Sequence, residues 1–340
     1  MANVKNDRNK KLRNTLGMII FILLLFYFFY TFYYGNNDNS SVEEGQTLSI
    51  GQNAEVHENQ NEIQNETQND IDGELTLVMI DVGQADCFLL KQGDMTALVD
   101  CGTRSTGKDA VMYLNNMGIK RLDYVFGTHP HDDHMGGMYD IITNFEIGKI
   151  IIPEVQEDIT TNWYIKLMTE IANGDYSVEH PKVGNIYNLG DATMKVIGPI
   201  SEANGNKNNY STILKVTFGQ MDIIMTGDAE KEVEKDILAS GENIDAEILK
   251  LGHHGSDTSS CEEFLDNVSP DYGLISCGIG NKYKHPIKST MDNLQKREIT
   301  VYRTDENGNV IATITPTDVE FSTMPGDYLS GEEVEMMEGK

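Results

Sequence analysis

The chain has 340 residues, enough for one or two domains, and carries a formal net charge of −28 at pH 7. Its hydrophobic content, 39%, is on the low side, and the polar excess is concentrated in particular stretches. The four cysteines (Cys87, Cys101, Cys261 and Cys277) form no CxxC pair, which speaks against a thiolate zinc site and leaves buried thiols or at most two disulfides.

Residues 16–34 (LGMIIFILLLFYFFYTFYY) carry no charge. As a helix rising ~1.5 Å per residue they span roughly 28 Å, about one hydrocarbon core. Lys5, Arg8, Lys10, Lys11 and Arg13 precede the run against a single acid, Asp7, and no Lys or Arg follows it before residue 75. The positive-inside rule then puts the N-terminus in the cytoplasm and everything after Gly35 outside the cell. A cleaved signal peptide is the alternative, but the run is long, ends in aromatics and has no A-x-A site after it. The expectation is therefore an uncleaved signal anchor over 1–34, single-pass, meeting the lipid bilayer through 16–34. Residues 35–74 hold ten acids and no Lys or Arg, and read as a disordered linker. Residues 325–340 (PGDYLSGEEVEMMEGK) read as a frayed acidic tail.

Between them, 75–324 reads as one compact unit. Short apolar runs at 75–82, 86–92 and 95–100 predict consecutive strands. Helical spacing follows at 107–118, closed by Gly118. A buried strand runs over 122–129, and a helix over 160–174. Residues 211–219 and 221–228 predict a hairpin turning at Gly219–Gln220, and an acid-rich helix follows over 229–241. Then come strands over 246–251 and 271–276, a helix over 289–298, and strands over 299–304 and 309–316. Strands and helices alternate, but with β-hairpins early and late. That pattern predicts an α/β sandwich rather than a doubly wound sheet.

The strand at 122–129 delivers GTHPHDDHMGG, which packs three of the chain's eight histidines and two aspartates into six residues. A His-x-His pair after a strand aims two imidazoles, those of His129 and His131, at one point. Asp133 and His134 reach a second point nearby. Imidazole with carboxylate is the ligand set of zinc or another borderline divalent metal. Gly136 and Gly137 would let a helix begin beside the site. One motif supplies at most half of two coordination spheres, so further ligands are expected at downstream strand ends. Asp228 ends IIMTGD, where it bridges two metals or merely caps the next helix. His253 and His254 end KLGHHGS.

These segments resemble the metallo-β-lactamase fold superfamily. Together with IDVGQADCFLL, LVDCG, NNYSTILKVTFG, NKYKHP and VYRTDENG, they resemble more narrowly the soluble hydrolase-like domain of the ComEC DNA-uptake (competence) family, over about 75–315. The resemblance implies a metallo-β-lactamase-type αββα sandwich, two packed β-sheets flanked by helices. By the same resemblance His129 and His131 hold a first metal, Asp133 and His134 a second, Asp228 bridges them, and His253 completes the second site. His254 is able to exchange roles with His253. Many superfamily members add a third histidine on the strand before the bridging Asp. This chain reads NKNNYSTILKV there, with Asn209 or Ser211 in its place as ligand or substrate donor. Asp81 and Asp100 orient ligand histidines or serve as turn residues, and Gln84 and Asp86 fall near the site. His180 is expected on the surface. ComEC proteins join this domain to a multi-span channel, so the chain resembles the stand-alone, membrane-anchored form. A separate DNA-uptake channel protein is then an expected partner.

Residues 281–303 are locally basic, with Lys282, Lys284, Lys288, Lys296, Arg297 and Arg303 against Asp292 and Glu298. Lys284 and His285 are the members expected to meet an anion. Lys296 and Arg297 read as an ordinary solvated helix face. The resulting expectation is a hydrolase with two Zn²⁺ or Mn²⁺ ions that lower the pKa of a shared water to give a hydroxide nucleophile. Asp133, His254 and His285 are its catalytic candidates, and single-stranded DNA is the expected substrate. One number opposes DNA. After Gly35 the chain holds 21 Lys and Arg against 53 Asp and Glu, and non-specific DNA binding depends on phosphate neutralisation. A hydrolase of small phosphoesters or lactones, and a non-catalytic accessory of DNA uptake, remain the alternatives.

Overall fold

Alternating burial turns the apolar runs into strands, since successive side chains point to opposite faces. Leu75, Leu77 and Met79 face one way and Val78 the other, and Leu214 and Val216 oppose Ile213 in the same manner. The computed structural model describes residues 73–338. Its strands are β1 (Leu75–Met79), β2 (Phe88–Gln92), β3 (Met95–Val99), β4 (Arg121–Phe126), β5 (Glu146–Ile151), β6 (Val178–Glu179), β7 (Ile186–Leu189), β8 (Ala192–Gly198), β9 (Ile213–Phe218), β10 (Met221–Met225), β11 (Ile248–Lys250), β12 (Tyr272–Ile275), β13 (Thr300–Arg303), β14 (Val310–Ile314) and β15 (Val319–Phe321). Its helices are α1 (Gly107–Asn116), α2 (Asp132–Met135), α3 (Met138–Asn144), α4 (Asn162–Asn173), α5 (Lys231–Ser240), α6 (Glu262–Val268), α7 (Lys288–Lys296), α8 (Thr304–Asn307) and α9 (Gly331–Glu338).

Two sheets pack face to face. One runs β15-β14-β1-β2-β3-β4-β5-β6 and the other β13-β12-β11-β10-β9-β8-β7. Their shared core holds Leu77, Phe88, Val99 and Phe126 with Leu189, Val216 and Ile223. The outer face of the first sheet meets α1, α3 and α4 through residues such as Leu89, Leu98, Leu114 and Ile141. The second is covered by α5, α6 and α7 through Leu249, Ile237, Phe264 and Leu294. The outcome is the expected αββα sandwich. The strands at 146–151 and 178–198, for which the sequence reading predicts nothing, complete the two sheets.

The chain directions place the chemistry. β3, β4 and β5 are parallel, as are β10, β11, β12 and β13. In both sheets the carboxyl ends of these strands carry the polar segments, which is where open α/β sheets build their sites. At the end of β10, Gly227 has φ +53, and a Cβ there would sit 2.9 Å from Ser211 Oγ and 3.1 Å from Thr128 Cβ. Only glycine fits this turn, and the turn aims Asp228.

Two expectations at the chain ends meet different outcomes. The anchor and linker lie outside the described residues, and among the described residues no helix is long and apolar enough to cross a membrane. The tail is not frayed. Residues 331–338 form α9, and Ser330 and Glu333 cap it reciprocally, with the Ser330 N–H and Oγ donating to Glu333 Oε2 at 2.9 and 2.8 Å. Its acidity, which suggests self-repulsion in sequence, is offset by lysines of a distant segment.

All four thiols are free, and burial pushes each of them up, Cys261 to about 11. A chromogenic disulfide reagent at pH 8 should therefore label at most Cys261 in the native chain and all four cysteines after denaturation. Rapid native reaction of a second thiol contradicts this packing.

Candidate metal centre

Four carboxylates and five imidazoles meet at the strand ends. Asp100 follows β3 with φ 61 and is 1% exposed. Its Oδ1 accepts the Thr128 N–H at 2.8 Å, and its Oδ2 accepts the Thr128 hydroxyl at 2.7 Å. The same Oδ2 lies 2.7 Å from His134 Nδ1. Because the Thr128 hydroxyl donates to Asp100, it accepts from His129 Nδ1, 3.1 Å away. Both imidazoles are thus held by Nδ1 with Nε2 directed inward, the arrangement common to metal-binding histidines. His131 Nδ1 meets His129 Nε2 at 3.0 Å.

Asp228 lies at the centre. His134 Nε2 is 3.2 Å from its Oδ1, while His253, His254 and His129 place Nε2 at 3.5, 3.7 and 3.8 Å from its Oδ2. Asp133 reaches in from α2, 3.6 Å from His254 Nε2. Among the described residues, four groups are close enough to share an ion: His129–His134–Asp228, Asp133–His134–His254, Asp86–Asp228–His254 and Asp86–Asp100–His134. The fit to metal can be tested on satisfaction of polar atoms. Asp228 Oδ1, His134 Nε2 and His254 Nε2 are all buried without a hydrogen-bond partner. Buried polar atoms are rarely left so, and here they converge. The set fits borderline divalent cations.

The structure redistributes several expected roles. His254, not His253, joins Asp133 and His134. Both residues are left-handed, with φ 51 and 54, and these consecutive turns send the two rings apart. His254 is 1% exposed and its Nδ1 donates to the Ser276 carbonyl at 2.8 Å. That leaves only Nε2, which faces the carboxylates, so His254 is a ligand candidate and not a free proton donor. His253 sits at the mouth with Nδ1 on Thr258 Oγ1 at 3.1 Å. Asp81 is exposed and accepts the Gly83 N–H at 3.0 Å, so it is a turn residue. The aspartate that enters the site from that loop is Asp86, 1% exposed. Gln84 accepts the Gly278 N–H at 3.1 Å and ties that loop to the end of β12.

Asn209 spends its Oδ1 on the Glu230 N–H at 3.2 Å, away from any ligand role. Ser211 fills the position of the expected third histidine in another way. Its Oγ accepts the Asp228 N–H at 3.0 Å and lies 3.3 Å from His129 Nδ1, so it links two ligand candidates without facing the cluster as one. Lys284, expected to meet an anion, pairs with Glu335 of α9. His285 is buried with its Nδ1 unpartnered and its ring 5.5 Å from that of His253. Burial holds it down to about 4, so it is neutral at pH 7. His180 is exposed as expected, its Nδ1 on the Ile152 carbonyl.

Lys250, 1% exposed, carries no sequence signal. It is one lysine in a strand reading LKLG, and only the fold shows it pointing inward. Its Nζ lies 2.6 Å from Asp86 Oδ2, donates to the Gly227 carbonyl at 2.8 Å, and is 3.8 Å from Asp228 Oδ1. Lys250→Met takes from buried Asp86 its nearest cation, leaving only His254 and His134 at 3.3 and 3.7 Å, and should cost about 3–5 kcal/mol in urea unfolding. A loss below about 1 kcal/mol would mean the pair is solvated.

Protons serve as counter-cations in the metal-free cluster. Burial opposes the charged form of His254, yet Asp228, Asp86 and Asp133 lift it to about 10. Burial likewise opposes charge on His134, and Asp228 and Asp100 overcome it. Both must lose a proton to ligate through Nε2. Metal binding at pH 7 should release about two protons, read as a buffer-dependent heat in titration calorimetry. A heat independent of the buffer contradicts this account.

The profile of the Metallo-beta-lactamase superfamily matches residues 80–279. ComE operon protein 3 of Bacillus subtilis strain 168 is 31% identical over 252 residues, covering 68% of this chain and 32% of that protein. Competence protein ComA of Neisseria gonorrhoeae is 28% identical over 239 residues, covering 70% and 32%. The chain therefore spans about a third of the length of these curated relatives. Among solved structures, CmlA, a diiron beta-hydroxylase from Streptomyces venezuelae, aligns at 15% identity with a TM-score of 0.48, over 72% of this chain and 54% of that one. That likeness is too slight to carry a function across.

Proposed function

The chain belongs to the metallo-β-lactamase superfamily, and from that premise we propose that it is a metal-dependent phosphodiesterase acting on single-stranded DNA. The observation that carries the metal chemistry is the convergence of Asp228 Oδ1, His134 Nε2 and His254 Nε2, buried and unpartnered. Two divalent ions, Zn²⁺ or Mn²⁺, would be held by His129, His131 and Asp228 and by Asp133, His134, His254 and Asp228. When bound, such ions supply Lewis acidity and an activated water at neutral pH.

The protein's own groups do the rest. Asp100, Thr128 and the Ser276 carbonyl fix ligand rings from behind. Ser211 holds the Asp228 backbone against His129. His285, neutral and with its ring 5.5 Å from that of the mouth residue His253, orients a phosphoryl oxygen by hydrogen bonding rather than by giving up a proton. Lys282 and the Tyr283–His285 stack form a rim suited to an anion. The likeness to a relative named Competence protein ComA supports DNA as the substrate. The charge asymmetry around residues 16–34 supports an anchored enzyme with its site outside the cell, working beside a separate DNA-uptake channel protein.

The excess of 53 acids over 21 bases after Gly35 favours a second reading, hydrolysis of small phosphoesters or lactones, for which a long polyanion need not be gripped. The purified chain with Mn²⁺ or Zn²⁺ should cleave a labelled single-stranded oligonucleotide and bis(p-nitrophenyl) phosphate. His131→Ala and Asp228→Asn should each lower both rates at least about 10²-fold. Cleavage of the small diester alone selects the second reading. Wild type and His131→Ala behaving alike would end the hydrolase proposal.

A further inference from the structure

The basic stretch of 281–303 divides into parts with different partners. Arg303 is fully buried, paired with Asp305 at 2.7 Å and Glu306 at 3.0 Å, and it donates to the Leu329 carbonyl. Lys296 and Arg297 pair with Glu262 and Asp266 around α6. Lys282, Lys284 and Lys288 remain, on or beside the loop of His285. A line of rings joins that loop to the metal centre. Lys282 lies over Tyr283 at 4.6 Å, Tyr283 stacks on His285 at 5.6 Å, His285 meets His253 at 5.5 Å, and His253 Nε2 is 3.5 Å from Asp228.

The C-terminal helix covers two of these three lysines. Glu335 pairs with Lys284, and Glu333 Oε1 lies 3.7 Å from Lys288 Nζ, which also pairs with Asp292 of its own helix at 2.9 Å. The Gly331 N–H donates to the Pro286 carbonyl at 2.9 Å. A Cβ on Gly331 would run into the His285 carbonyl, so the helix begins in direct contact with the loop. The attachment is uneven. Upstream, the strap is fastened by buried Arg303 and by Glu306, which accepts the Asp327 N–H at 2.9 Å. Beyond Leu329 its ion pairs lie at the surface, Lys288 and Glu333 at 60% and 36% exposure and Lys284 and Glu335 at 45% and 25%. Exposed pairs of this kind hold weakly and yield to salt or to a competing anion.

We infer that Lys282, Lys284 and Lys288 form a docking surface for a phosphodiester backbone, and that α9 covers it in the resting chain until such a backbone displaces Glu333 and Glu335. The inference rests on the phosphodiesterase reading for the nature of the ligand, but not on turnover. The helix presents carboxylates where phosphates would lie, so ligand and helix compete for the same ammonium groups. Docking would then lead a strand along the ring line toward Asp228.

Binding of a fluorescein-labelled short oligothymidylate, measured by anisotropy in EDTA, tests this without cleavage. Glu333→Gln/Glu335→Gln and a chain ending at Leu329 should each bind roughly tenfold tighter than wild type, as expected when two more cations meet phosphates. Replacing Lys282, Lys284 and Lys288 by Ala should abolish that gain. The glutamine pair keeps the test valid if the shortened chain fails to fold. Wild-type affinity in the glutamine pair, or an unchanged gain without the lysines, overturns the inference. Turnover assays keep the two proposals apart. Tightened binding with no hydrolysis of any diester sinks the phosphodiesterase reading alone. Hydrolysis of bis(p-nitrophenyl) phosphate with unaltered oligothymidylate binding sinks this inference alone.

Discussion

Burial of the Asp228 carboxylate, at 1% exposure, sets the terms for its surroundings. A carboxylate taken out of water needs partners, and an unpaired one would be too costly to keep. Every strand end nearby answers that need. β4 leads to His129 and His134, β11 brings Lys250, His253 and His254, and the loop after β1 brings Asp86 to hold Lys250 in place. Asp86 and Asp100 are buried in turn and depend on Lys250, Thr128 and His134. Removing a buried member such as Lys250 or Asp100 takes a partner from another buried group, which makes the centre a structural element of the sandwich as well as its candidate chemistry.

What the sequence makes legible follows from how locally each feature is encoded. The HxHxDH run lies within one strand end and one short helix, so spacing alone predicts convergence, and the geometry brings His129, His131, Asp133 and His134 together. Asp228 is legible as a candidate from its place at a strand end, but its sequence leaves bridging and helix capping equally open until the second sheet sets it beside the histidines. The choice between His253 and His254 is not, because it is decided by two left-handed residues in succession, and no composition rule predicts such a pair. Asp81 and Asp86 share one turn, and only the register of that turn shows which faces inward. Lys250 looks like any strand lysine until the second sheet is in place around it.

The α9 helix teaches the complementary point. Read alone, an acidic segment with few apolar residues has no reason to order. Its order comes from lysines more than forty positions upstream and from a buried arginine in β13. Non-local charge pairing leaves no periodic trace in sequence, so a reading based on local composition finds a frayed end. Of the eight non-glycine residues with left-handed backbone among the described residues, half lie at or near the centre. Asp100, His253, His254 and Lys284 are all non-glycine residues in the left-handed region and all lie at or beside the centre. Surrounding packing over-determines them, as it does where a functional geometry must be held against local preference.

The four unpaired thiols carry one more implication. Nothing in the sandwich depends on an oxidising or a reducing milieu to close its loops, since hydrogen bonds, ion pairs and apolar packing hold them. A domain of this kind reaches the same architecture on either side of a membrane without help from disulfide-forming machinery. Its dependence on surroundings lies instead in the centre, where the charge on His134 and His254 offsets the buried carboxylates around them.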